Sequence, residues 1–207
     1  MARLRAARKV QPLAGCLHSE PVAWGRAYDV GGSELKDGRR LQLAVAAPDE
    51  WQAGRPLVLC YDEASGAHLL DPAAGKRYAV RHITGSHPID GYLRSLPAET
   101  TIDMLAAGEE AQRLWRLELD RSVREVLALR HLPADVRANF LKLSRTRLDF
   151  LDQQVAFAVS AVYATYPGGT IRGPASADEA AALYREAYLQ LASLYEYYLS
   201  FNDPPGK

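Results

Sequence analysis

Leu96-Pro97-Ala98-Glu99 divides the chain into two halves whose apolar residues recur at different intervals. Before it, they alternate or gather in short runs cut by turn residues, the pattern of strands. After it, they recur at about 3.6 residues, the period of a helix with one buried face. The two patterns exclude each other, because side chains return to one face every second residue in a strand and every third or fourth in a helix. The switch predicts an α+β fold: a small antiparallel β domain over residues 22–97, then an elongated three-helix antiparallel bundle over 98–202. Residues 1–21 read as a flexible N-terminal arm and 203–207 as a tail.

Upstream of the switch, five strands are expected. Trp24–Val30 is the first and runs into Gly31-Gly32. Asp37-Gly38 makes a turn before Leu41–Val45, which alternates with period two. Pro56–Tyr61 is a continuous apolar run suited to a central strand. Ser65-Gly66 turns the chain into Ala67–Leu70, and Asp71–Gly75 turns it again into Tyr78–Ile83. Tight turns between short strands predict a small antiparallel sheet or half-barrel.

Downstream, helices are expected over Ile102–His131, Ala134–Thr165 and Ala177–Phe201. Trp115, Leu119, Val123 and Val126 share a face of the first. Leu141, Leu148, Leu151, Val155 and Val162 share one of the second, and Tyr184, Ala187, Leu191, Leu194 and Tyr198 one of the third. Pro167 stops the second helix. Ser176-Ala177-Asp178-Glu179 reads as a capping box opening the third.

Composition narrows the function. Twenty-five basic residues balance 25 acidic ones, which argues against a nucleic-acid partner, whose phosphates require a basic excess. No run reaches the ~18 apolar residues of a membrane span. Two cysteines, Cys16 and Cys60, exclude a disulfide-dense scaffold and leave one bridge or two thiols open. Leu13-Ala14-Gly15-Cys16 follows Arg3, Arg5, Arg8 and Lys9 and matches a lipoprotein processing box. The apolar segment that export needs does not precede it. The sequence therefore reads as cytoplasmic as written, and as periplasmic or lipid-anchored if its start lacks part of a signal.

No catalytic constellation stands out. Ser33-Glu34-Leu35-Lys36 has the Ser-x-x-Lys spacing of penicillin-recognising enzymes but lies in a Gly-rich turn without its helix. His82, His87 and Asp90 do not have the spacing of a helical two-His metal site. Asp149 and Asp152 share a helical face with Arg145 and Arg147 nearby, which favours ion pairs over acid–base work, while Glu118 and Asp120 share none. These residues predict no catalytic group, no metal and no cofactor. Tyrosine is abundant in the last two helices, at 163, 166, 184, 188, 195, 197 and 198, a residue enriched at protein interfaces.

The helical half resembles the LprI-type lysozyme inhibitor family. The resemblance rests on Leu119-Asp120, on Val136-Arg137 through Arg147-Leu148-Asp149-Phe150-Leu151-Asp152, on the Gly168-Gly169-Thr170 loop, and on Tyr184-Arg185 through Leu191. It covers about residues 111–199, without the paired cysteines usual in that family. Ala64-Ser65-Gly66-Ala67-His68 is similar to the Ser-Gly-Ala loop of periplasmic inhibitors of C-type lysozyme. The resemblance implies a non-catalytic protein that inhibits a peptidoglycan-cleaving hydrolase, or an immunity-type protein, by placing a rigid loop in its cleft. The expected partner-binding residues are Tyr166, Gly168, Gly169, Thr170 and Arg172, joined by Ser65 and His68. The other expectation is an interaction or scaffolding module that self-associates or binds other proteins through its helices.

Overall fold

The structure is a computed structural model that describes residues 15–28, 32–129 and 132–202, the side chains of 192 and 194–202 excepted. Arg3 to Ala14, Val30, Gly31, His131 and the side chains of Leu194, Tyr195, Tyr197 and Tyr198 lie outside the described residues.

Six strands, not five, close into an antiparallel barrel: β1 (His18–Ala27), β2 (Gly32–Leu35), β3 (Arg40–Leu43), β4 (Pro56–Asp62), β5 (Gly66–Asp71) and β6 (Lys76–Thr84). Their order around the barrel is β1-β2-β3-β6-β5-β4. Two long strands make the closure. The first part of β1 pairs with β4 and its last part with β2. Likewise β6 pairs first with β5 and then with β3. The register of β1 shifts between Trp24 and Arg26, and a bulge of this kind bends a strand so that it can serve both sides. Gly25 sits at the bend. A Cβ there would lie 2.5 Å from the Glu34 carbonyl oxygen, so the close approach of β2 requires glycine. Closure replaces the expected sheet or half-barrel and leaves no open edge.

The helical part also differs from the expected three-helix bundle. Four helices follow: α1 (Pro88–Leu93), α2 (Thr101–Leu127), α3 (Ala134–Thr165) and α4 (Arg172–Asn202). α1 is opened by a capping box in which the His87 ring accepts from the Ile89 N–H and Asp90 accepts from the His87 N–H. A second box, Thr100 with Asp103, opens α2. The box expected at Ser176 is not a helix start. α4 begins five residues earlier, because Pro174 in its first turn needs no donor there. The Ser176 hydroxyl instead donates to the Gly173 carbonyl at 2.8 Å.

The helices do not form a separate core. One hydrophobic cluster joins Trp24, Leu35, Leu59, Leu69 and Ile83 of the barrel to Leu114, Trp115, Tyr184 and Tyr188 of the helices. α4 packs chiefly on α2 and then on α3, while α2 and α3 touch little. A small second cluster, Val126 and Leu129 with Leu132 and Phe140, holds the α2–α3 turn. Cys16 and Cys60 form a disulfide that ties the chain ahead of β1 to the neighbouring β4. That bond occupies the sulfur a lipid thioether would need. None of the described helices is long and apolar enough to cross a membrane.

Candidate functional site

The α3–α4 turn is the most exposed of the expected binding residues. Tyr166 caps α3, its N–H donating to the Val162 carbonyl at 3.0 Å. Pro167 then ends the helix. Tyr166 is 47% exposed and Ile171 is 44% exposed. Gly168, Gly169 and Thr170 lie open between them. A Cβ at Gly168 would meet nothing, and one at Gly169 only Ile171 at 3.6 Å. Neither glycine has a positive φ. The turn's backbone therefore does not demand glycine at either position. Arg172 lies over the exposed Tyr163 ring, 5.0 Å from its centre, a cation–π contact that restricts a long side chain. No charged residue occurs from Gln153 to Ile171.

Ser65 and His68 sit elsewhere, in the β4–β5 hairpin. Asp62 Oδ1 accepts from the Ala64 and Ser65 N–H groups at 2.8 and 3.0 Å. Ser65 is exposed. His68 is buried, with Nδ1 2.9 Å from the Gly66 carbonyl oxygen. Gly66 has φ +85°, and a Cβ there would come within 3.0 Å of the Arg121 guanidinium. The hairpin thus presses on α2 near Arg121, while the first turns of α4, which follow the α3–α4 turn, pack on the start of α2, where Ala177 meets Gly108. Gly108 and Arg121 are about 20 Å apart along the helix axis. The structure does not bring the two sets into one site.

A buried polar centre joins the barrel to α2; the sequence offered Glu118 and His87 only as separate candidates, and the fold brings them together with Tyr61 and Arg121. Glu118 is 2% exposed. It accepts from the Tyr61 hydroxyl at 3.3 Å and from Arg121. Arg121 also donates to the Glu63 carbonyl at 2.7 Å. His87 Nε2 lies 3.8 Å from Glu118, and the His87 ring packs among Tyr61, Trp115 and Tyr188. Burial raises the Glu118 carboxyl and pushes the His87 imidazole well below its ordinary value. Burial and the Glu118 charge push the Tyr61 phenol up. With His87 neutral and its Nδ1 taken by the Ile89 N–H, Nε2 carries the proton and points toward Glu118. Glu118 and His87 are both sealed from solvent, so the arrangement positions β4 and α1 on α2. The signal was present: Glu118 follows Trp115 by three and precedes Ser122 by four, so it lies on the buried stripe of α2.

The remaining candidates resolve into structural roles. Ser33 is buried in β2, its side chain pointing into the barrel wall with Leu35 rather than forming a helical pair with Lys36. Asp152 accepts from Arg116 of α2 and from the Tyr184 hydroxyl of α4 at 2.9 Å, so it crosses between helices. Asp90 is held by Arg185 and by the α1 cap. His82 and His87 both pack against Tyr188. Among the described residues, no group of three or more His, Cys, Asp or Glu is placed to hold a metal ion. No family model, no curated protein and no solved structure matches the chain.

Proposed function

We propose that this chain is a non-catalytic protein-binding module whose contact surface is the α3–α4 turn. The observation that carries the reading is the turn itself: Tyr163, Tyr166 and Ile171 exposed together, no charge before Arg172, and open glycines at the tip. Exposed aromatic and aliphatic side chains beside an Arg are the composition of an interface centre. The turn is also ordered in advance. Pro167, the Tyr166 cap and the Arg172–Tyr163 stack restrict it, so less conformational entropy is lost on binding.

The partner class that the Gly168-Gly169-Thr170 resemblance suggests is a peptidoglycan-cleaving hydrolase, with the turn entering its cleft. The Arg172 guanidinium would meet the acidic groups such a cleft uses. The test is to titrate the purified chain into muramidase assays on cell-wall substrate. Stoichiometric inhibition that Tyr166→Ala and Arg172→Ala weaken supports the proposal. Hydrolysis of the substrate by the chain alone refutes it.

A further inference from the structure

The outer face of α3 carries Val136, Leu143, Phe150 and Phe157 at seven-residue intervals. They are 39%, 67%, 59% and 75% exposed. A repeat of seven keeps a stripe on one side of a helix with only a slow drift, and another helix is the surface that matches it. Beside the second half of the stripe, α3 and α4 leave two grooves, of about 310 and about 600 Å³. Both are lined by Phe150, Gln154 and Leu183, so they meet there. All four side chains protrude, and the two on the second half, Phe150 and Phe157, also border a groove.

The charges fit the same division. Lys142 and Arg145, on the first half, are exposed, and among the described residues neither makes an ion pair. Glu179 and Glu186 line the grooves from α4, are exposed, and likewise make none. By contrast Arg113, Arg116, Arg121 and Arg185 are all paired.

We infer that the occupant of this groove is a second copy of the chain, packed with its α3 antiparallel about a two-fold axis. Centring the axis between Thr146 and Arg147 sets Val136 against Phe157 and Leu143 against Phe150 of the other copy. Lys142 then lies level with Leu151 of the other copy. The Asp152–Tyr184 and Arg147–Gln190 contacts place Glu186 at that same level. Each copy brings a basic knob half to an acid-rimmed groove half, and the two-fold makes every contact twice. The paired side chains of the seam end at Phe157, and the groove beyond them runs on to Tyr166 at the α3–α4 turn. The inference does not depend on the function proposed for the turn.

Sedimentation of the full chain over about a hundredfold range of concentration tests it. The expected result is a rise in mass from 22.8 kDa toward twice that value. Leu143→Glu and Phe157→Glu, at exposed positions, should raise the dimer Kd by about tenfold or more with unchanged circular dichroism. Lys142→Glu and Glu186→Lys should each weaken the dimer, and the two together should restore it. A wild type that stays monomeric throughout overturns the inference and leaves the groove to another protein. So does a dimer indifferent to Leu143→Glu in a folded variant. A double charge variant that fails to recover overturns the antiparallel register.

Discussion

Arg185 on α4 holds both carboxylate oxygens of Asp90 on α1, with Nε and Nη2 each 3.0 Å from an oxygen. The two residues are 95 positions apart. Asp90 also completes the His87 capping box, and Arg185 lies over the Trp115 ring at 5.4 Å. One pair therefore fastens the last helix to the short helix that follows the barrel.

Asp90→Ala should destabilise the fold by about 1–2 kcal/mol, because it removes a cap and leaves Arg185 without its partner. Arg185→Ala should cost less, since its side chain is 38% exposed and water screens such a pair. Urea unfolding of both variants measures the difference. Equal, negligible losses would mean that this pair does not hold α4 to α1.

The Cys16–Cys60 bridge closes a loop across a separation of 44 residues. Reduction, or the double change to serine, should lower stability by about 2–4 kcal/mol, as loss of a cross-link over such a loop does. Thermal melts with and without reductant read this directly. Labelling of two free thiols in unreduced protein would contradict the pairing.

Stability should fall on mild acidification. Burial pushes His82 down to about 4 from an ordinary 6.5, and pushes His87 below its ordinary value too. Above pH about 6.5 both folded and unfolded imidazoles are neutral. As pH drops from there, the unfolded chain takes up protons that the folded chain refuses, so the unfolded state gains. For His82 the loss approaches about 3 kcal/mol near pH 4, at about 1.4 kcal/mol per pH unit. Glu118, raised by burial, works in the opposite direction as it protonates. Urea melts at several pH values should show a net decline that His82→Gln makes shallower. A profile that His82→Gln leaves unchanged would refute the assignment.

At the turn, Arg172→Ala should weaken partner binding by about 2 kcal/mol, the cost typical of a hot-spot arginine, with little change in melting temperature. Gly169→Val should leave the fold nearly unchanged, because φ there is not positive and a Cβ meets only Ile171. Its added bulk should still hinder docking. Calorimetry of each variant, with binding measured on the same preparations, separates the two effects.

The order of strands before helices was legible, but the change comes earlier than Pro97: β6 ends at Thr84 and α1 already spans Pro88–Leu93. The missing strand was not legible. Gly32-Ser33-Glu34-Leu35 has no strand-forming composition, and it takes its conformation from pairing with β1 and β3. Closure depends on β1 meeting β4, more than 30 residues away, which no local pattern records. The α4 start was misplaced because Ser176 and Glu179 imitate a cap while Pro174 already sits in the first turn. Of the candidate site, the glycines after Pro167 were readable, while which tyrosines are exposed was not, since Tyr184 and Tyr188 of the same set are buried. Glu118 lies on the buried stripe of α2, but its partners, and the burial of His68 and His87, were not readable, since a polar residue declares its surroundings only through the fold around it.

Hydrogen–deuterium exchange of the chain, alone and mixed with a saturating muramidase, tests the central claim most directly. The account predicts new protection concentrated in residues 162–175, with the barrel unchanged apart from its global stability. Protection confined to the β4–β5 hairpin or another barrel face, with the α3–α4 turn exchanging as in the free protein, would contradict it.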